Sequence, residues 1–276
     1  SPATLAAAAI YNSEEEGGLV AISPASSSPL VSEAGPWTFR VCPSDLLHGP
    51  AAAQWAQNRL GSRRAAVLYT NDAYGRGVSE AFGEAFTRGG GAVIASDPYL
   101  AAVVDSSGSI DPYLVRAMRR GADALMIAGQ AGEGMQIVRA ARRLGFAGPV
   151  LGADGMTGVK DAGPAAEGIF VSSAFLPDRP TPAAQAFVRA YSQRFGQLPD
   201  HRGAMTYDAL KLLAHVIGQV GADRERVRDY LERVGRGEEA FEGVSGRIAF
   251  DENGDVPGKE VAIGVVRDAR LVTAAR

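Results

Sequence analysis

Apolar residues in this chain gather in short runs of three to five, and between the runs they recur every three or four positions. Runs of that length read as buried strands, and the wider spacing reads as the inner face of a helix. The clearest handover runs from Ala65-Ala66-Val67-Leu68-Tyr69 through Thr70-Asn71-Asp72 to Ala73-Tyr74-Gly75, after which Val78, Phe82, Ala85 and Phe86 keep helical spacing. A strand passing to a helix in this way places its turn at the carboxyl edge of a parallel sheet, where open α/β folds bind ligands. The unit then repeats. Strand Ala92 to Ala95 leads through a polar loop to a helix with Ile110, Leu114, Val115 and Met118. Strand Ala124 to Ala128 precedes a helix with Ile137, Val138, Ala141 and Leu144, and strands Val150 to Gly152 and Ile169 to Ser172 complete the block. Strands alternating with amphipathic helices predict a parallel sheet covered on both faces, a doubly wound domain.

The ends of the chain carry a different pattern. Residues 4 to 12 are alanine-rich and helix-prone, and the stretch from Asn12 through Glu14-Glu15-Glu16 to Gly17-Gly18 stops that helix before an apolar run, Leu19 to Ile22. Ser23-Pro24-Ala25-Ser26-Ser27-Ser28-Pro29 follows the run directly, with Ser28 placed to cap a helix and Pro29 at its first position. Trp37 to Val41 reads as a strand, and Cys42-Pro43-Ser44-Asp45 leads into a helix carrying Ala52, Trp55, Ala56 and Leu60. Three prolines between Pro177 and Pro182 mark an extended crossing segment, with Thr181 as the cap of the next helix. Three amphipathic helices then run without intervening strands, on faces that include Phe187 and Tyr191, Leu212 and Val216, and Val227 and Leu231. Arg247 to Phe250 and Glu260 to Val266 read as strands flanking the Asp251-Glu252-Asn253-Gly254-Asp255 turn, and Arg267-Asp268-Ala269-Arg270 as a last turn before a short final strand.

Composition narrows the partners. The 276 residues carry 28 basic and 31 acidic side chains for a net charge of -3, with no stripe of one sign, so an electrostatic footprint for nucleic acid or an anionic membrane is missing. A single cysteine, Cys42, excludes an intrachain disulfide and a multi-cysteine metal site. No apolar run approaches a membrane span, and Ser1-Pro2-Ala3-Thr4 lacks the parts of a signal peptide, which points to a soluble chain whose export signal is removed or was never there.

Catalytic and cofactor chemistry finds no candidate. Gly75-x-Gly77 follows a strand, but Glu80 stands where a dinucleotide fingerprint has its third glycine, and Glu133 in the Gly129 to Gly134 stretch would repel a phosphate. His48, His201 and His215 have no metal-ligand spacing, and no Gly-x-Ser-x-Gly elbow occurs. The expectation is a non-enzyme with no cofactor and no metal.

Several stretches stand in a familiar order: Ile22 to Pro29, Phe39 to Asp45 with Gly49-Pro50-Ala51-Ala52-Ala53, Asn71 to Gly75, Ala166-Glu167-Gly168, and Phe250 to Asp255. Over nearly the whole chain this resembles the leucine/isoleucine/valine-type solute-binding proteins of bacterial ABC importers. The resemblance implies an α/β, type I periplasmic-binding-protein-like fold of two doubly wound parallel-sheet lobes joined by a hinge. Residues 1–43 and 178–276 would form lobe 1, lacking the opening βαβα segment of that family, and residues 44–177 would form lobe 2. The crossings would fall near Cys42 to Asp45 and Leu176 to Pro182, with Arg267 to Arg270 near a third, and ligand would be enclosed in the interlobe cleft.

The resemblance also implies a site. An amino acid zwitterion needs hydroxyl or amide donors for its carboxylate and an acidic or carbonyl acceptor for its ammonium, both shielded from water. The serine stretch matches the carboxylate-binding loop of the family, with the Ala25 carbonyl, Ser26 and Ser27 contributing and Ser1 matching a further serine. Tyr74 matches a tyrosine on the strand-to-helix turn. Asp154 stands where an acidic residue receives the ammonium; relatives often have glutamate there, so aspartate implies a different reach. Gln130 replaces a tyrosine and makes the pocket more polar. The implied protein captures a small amino acid or amide-like ligand in the periplasm or outside the cell, lipid-tethered in a full-length form, for ABC importer membrane subunits. The alternatives are an amide- or amino-acid-sensing receptor domain of the same fold and, from another class, a nucleotide-dependent α/β enzyme.

Overall fold

The structure is a computed structural model that describes residues 1–13, 17–104 and 109–275. Glu14 to Glu16, within the predicted helix stop, and part of the polar loop after the second middle strand lie outside the described residues. The chain divides into two compact units, Ser1–Ser44 with Pro177–Glu260 as unit 1 and Asp45–Leu176 with Val261–Arg276 as unit 2.

Unit 1 opens with α1 (Pro2–Tyr11). β1 (Ala21–Ser23) follows and pairs in parallel with β2 (Thr38–Arg40). Between these strands Pro29–Glu33 forms a 3-10 helix at the position predicted for an α-helix, and Ser28 precedes it without a side-chain capping bond.

The chain then builds unit 2 in alternation: α2 (Asp45–Asn58), β3 (Arg64–Thr70), α3 (Ala73–Arg88), β4 (Ala92–Tyr99), α4 (Asp111–Arg119), β5 (Ala124–Ala128), α5 (Ala131–Arg143), β6 (Val150–Gly152) and β7 (Phe170–Ser173). The alternation of side chains along these strands shows why both faces are covered. Ala66, Leu68, Leu125 and Ile127 enter one core with Leu114, Ile137 and Val138. Their neighbours Ala65, Val67, Ala124 and Met126 enter the other, against Ala56, Val78, Phe82 and Phe86. A strand buried on both faces must be apolar at every position, and this is the continuous run visible in the sequence.

The chain returns to unit 1 for α6 (Pro182–Phe195), α7 (His201–Val220), α8 (Arg224–Arg233) and a hairpin of β8 (Phe241–Gly243) and β9 (Gly246–Ile248). It ends in unit 2 with β10 (Ala262–Arg267) and β11 (Arg270–Thr273).

Four expectations need correction. Residues 261–276 do not fold with lobe 1: β10 pairs antiparallel with β7 and β11 with β10, so the unit 2 sheet is mixed, ordered β11-β10-β7-β6-β5-β3-β4. The Asp251–Asp255 turn does not join paired strands, because β9 pairs back to β8, a strand the sequence reading missed. Arg267–Arg270 is the tight turn between β10 and β11, with Asp268 and Ala269 at φ of 49° and 58°, rather than a crossing between units. Unit 1 holds a two-stranded parallel sheet among the described residues, not a doubly wound one. Two further elements were not foreseen, 3-10 segments over Ala101–Val103 after β4 and over Asp154–Ala166 after β6.

Candidate functional site

In unit 2 the strand-to-helix turn after β3 is shaped by three residues. Asp72 caps α3 by accepting from the Gly75 amide at 2.9 Å. A Cβ on Gly75 would collide with the carbonyls of Thr70 and Ala128, so only glycine lets the turn lie this close to β3 and β5. Tyr74 is thereby carried inward and is 3% exposed. Its hydroxyl donates to Asp154 Oδ1 at 2.9 Å and accepts from the Gly155 amide at 2.9 Å. The Gly155 amide also reaches Asp154 Oδ1 at 2.9 Å. Tyr74 and Asp154 come from distant points of the chain and form one hydrogen-bonded unit. Neither is an exposed turn residue.

Burial, then the negative charges of Asp154 and Asp45, push the Tyr74 hydroxyl well above its ordinary pKa of 10, with the Gly155 amide pulling the other way. The phenol therefore stays protonated and keeps donating to Asp154. The polar cluster extends to residues that sequence reasoning did not select. His48, fully buried on α2, has Nδ1 3.1 Å from Ser172 Oγ and Nε2 4.0 Å from Asp154 Oδ2. Asp45 is fully buried in the first turn of the same helix. Two buried carboxylates thus act on one phenol, with His48 within ion-pair distance of one of them.

Gln130 is placed differently. It is exposed at the N-cap of α5, where its amide donates to Glu133 Oε1 at 2.8 Å. The glutamate judged hostile to phosphate is thus a helix-capping group. Thr70 Oγ1 lies 3.3 Å from the Tyr99 hydroxyl and 3.4 Å from Glu133 Oε1, linking that cap to the ends of β3 and β4. A separate cavity of about 230 Å³ at the end of β4 is lined by Tyr99, Val104, Ile110 and Tyr113 and contains none of the predicted site residues.

In unit 1 the serine stretch folds as a compact loop after β1. The Ser23 hydroxyl accepts from the Ser26 amide at 3.0 Å, and the Ser26 hydroxyl meets Thr4 Oγ1 at 2.7 Å. Ser1 Oγ accepts from the Ser28 amide at 3.2 Å, so Ser1 lies on the loop, as does Thr4 one turn along α1. Ala25 is half-buried, whereas Ser27 is fully buried and Ser28 nearly so. The hydroxyl oxygens of Ser27 and Ser28 are buried with no hydrogen-bond partner.

Beneath the loop lies Arg40, fully buried at the end of β2. Nη1 donates to the carbonyls of Ser26 at 3.3 Å and Ser28 at 2.8 Å. Nη2 donates to Ser32 Oγ at 2.8 Å and to Asp255 Oδ2 at 2.6 Å. The signal for Arg40 was present in the sequence, since a charge between Phe39 and Val41 in an apolar strand must find partners. Its partner Asp255 could not be paired with it from spacing alone.

Unit 2 thus carries a buried acidic corner at Tyr74 and Asp154, and unit 1 a loop of buried hydroxyls at Ser27 and Ser28. The chain belongs to the periplasmic binding protein family, whose pattern matches residues 1–270. Its class is that of extracytoplasmic solute-binding proteins associated with ABC transporters. Among similar proteins is the Leu/Ile/Val-binding protein of Escherichia coli K12, 27% identical over 270 residues, spanning 95% of this chain and 69% of the relative. A leucine-binding protein from Thermotoga maritima superimposes with a TM-score of 0.90 at 32% identity, covering 100% of this chain and 77% of the other. An ABC transporter substrate-binding protein from Desulfitobacterium hafniense, solved in complex with Leu, matches with a TM-score of 0.81 at 30% identity, over 98% and 77% of the two chains.

Proposed function

We propose that this protein captures a small amino acid and delivers it to the membrane subunits of an ABC importer, free or lipid-tethered outside the cytoplasm. The observation that carries the reading is the Tyr74–Asp154 pair: a buried aspartate whose Oδ1 is oriented by a phenol and a backbone amide. An ammonium group meeting that carboxylate gains a charge-assisted hydrogen bond in a site where water competes little. The serine loop of unit 1 is suited on its own account to a carboxylate, since the buried hydroxyls of Ser27 and Ser28 are donors. Ser1 and Ser26 shape that loop, and Ala25 supplies a carbonyl at its rim. Gln130, exposed at the start of α5, serves as a polar contact at the edge of the site rather than as part of its buried floor.

Aspartate is one methylene shorter than glutamate, so Asp154 selects for a ligand whose ammonium comes closer to the Tyr74 turn than a glutamate site would require. Titration calorimetry of the 276-residue chain against the common amino acids tests this. One aliphatic or small polar amino acid binds the native protein, and Asp154→Asn weakens it at least tenfold while the variant remains folded. Equal affinity in Asp154→Asn would place the ammonium elsewhere, and no binding by any amino acid would reject the ligand class.

A further inference from the structure

We propose that Arg40 and Asp255 are positioning residues that set the direction in which the serine loop presents its donors; this deepens the reading above and rests on it for the ligand. A peptide unit that is trans and planar points its N–H opposite to its C=O, and no peptide bond among the described residues is cis. The Ser26 carbonyl is turned onto Arg40 Nη1, so the Ser27 amide, which belongs to the same peptide unit, must point away from the arginine. The Ser28 carbonyl is held by the same nitrogen, and the next residue, Pro29, has no amide hydrogen to redirect. One guanidinium therefore fixes the peptide units on both sides of Ser27 and Ser28. Their hydroxyls are buried without a partner, and the backbone from which they project cannot turn while those carbonyls are held.

A buried guanidinium is tolerable only if its charge is matched, and Asp255 Oδ2 matches it at 2.6 Å while also accepting from Ser32 Oγ at 2.6 Å. Asp255 is itself held in place. Asp251 Oδ1 accepts from the amides of Asn253 at 3.0 Å and Asp255 at 2.9 Å, and the Gly254 carbonyl accepts from the Arg40 amide at 2.9 Å. The turn at residues 251–255 is thus the far end of a brace whose near end is the serine loop. Lysine cannot replace Arg40 here, because one ammonium does not span two carbonyls, a hydroxyl and a carboxylate in a planar fork.

The test uses the full 276-residue chain with Arg40→Lys and Asp255→Asn, and Val188→Ala, a buried position on α6, as a control for general loss of stability. The first readout is backbone hydrogen exchange without ligand; the second is affinity for L-leucine measured well below the melting temperature. Arg40→Lys and Asp255→Asn should each speed exchange at least tenfold over residues 25–32 and weaken L-leucine at least tenfold, while Val188→Ala, at a similar melting temperature, changes neither by more than threefold. Exchange over 25–32 that matches the wild type overturns the proposal, as does an L-leucine loss no larger than that of Val188→Ala. If the wild type binds no amino acid, the functional reading fails, and the exchange measurement alone decides whether the pair holds the loop.

Discussion

Tyr74 joins the two kinds of chemistry that make the acidic corner of unit 2. Its hydrogen is directed at Asp154, and its oxygen accepts from Gly155, so removing the hydroxyl takes a donor from a buried carboxylate. Tyr74→Phe is expected to cost about 1–3 kcal/mol in denaturant unfolding and to weaken the amino acid ligand by a smaller factor than Asp154→Asn. The raised pKa of Tyr74 gives a pH signature. The folded state holds that proton more tightly than the unfolded chain, so stability is fully present below the ordinary tyrosine pKa of 10 and falls as pH rises above it. Tyr99 shares this direction because burial raises it too, so the alkaline loss should shrink in Tyr74→Phe and shrink further when Tyr99→Phe is added.

Lys259 supplies the opposite sign. It is 5% exposed in unit 1, and burial lowers its pKa to about 8, with Asp208 opposing the shift and Arg179 adding to it. Its ammonium donates to Ser245 Oγ at 2.8 Å and approaches the Gly246 carbonyl at 3.3 Å. Between pH 8 and the ordinary 10.5 the unfolded chain binds a proton that the folded state does not hold. Stability should therefore rise with pH through that window, by up to about 1.4 kcal/mol per pH unit. Unfolding curves of Lys259→Met measured across the same range should lack the rise.

At the scale of elements, several segments lie close to their sequence expectation because their residues satisfy one local rule. β5 and β6 have the predicted bounds, and α3 begins one residue after the Asp72 cap. The departures are places where a distant partner decides. β4 continues beyond Ala95 to Tyr99 because β3 lies beside it and pairs as far as Thr70 with Tyr99. A polar stretch with Asp97 and Pro98 gives no local sign of that. Glycines record close approaches in the same way. Gly254 has φ of 70°, and a Cβ there would lie 2.6 Å from the Thr38 carbonyl. Gly254→Ala should therefore loosen the turn that carries Asp255 and lower stability by about 1–3 kcal/mol, read from the denaturation midpoint. A Cβ on Gly155 would lie 2.6 Å from the Tyr74 hydroxyl, so Gly155→Ala should displace the phenol and reproduce the ligand defect of Tyr74→Phe.

For the molecule as a whole, the two units differ in how much of their organisation is sequence-local. Unit 2 is built mainly from one continuous stretch whose strands and helices alternate, and its two cores follow from side-chain alternation along β3 and β5. Unit 1 is assembled from Ser1–Ser44 and Pro177–Glu260, and its Arg40–Asp255 pair joins residues 215 positions apart. A ligand that binds only the folded chain stabilises it by about 2.7 kcal/mol at a hundredfold excess over Kd. A thermal-shift screen of the amino acids should accordingly single out one ligand or a small related set. Among the described residues no helix is long and apolar enough to cross a membrane.

The amino-acid sequence by itself determined the α/β alternation, the turn that carries Tyr74, the serine loop and the family to which they belong, because each is written in residues adjacent or at a regular period. Tertiary structure decided the rest. It brought Asp154 to Tyr74 across 80 positions, set Arg40 beneath the loop with Asp255 as its counter-charge, and moved the last strands onto the sheet of unit 2. The physical reason is common to all three. A buried charge or an open sheet edge must be satisfied, and the sequence shows that need at one position without showing which distant residue meets it.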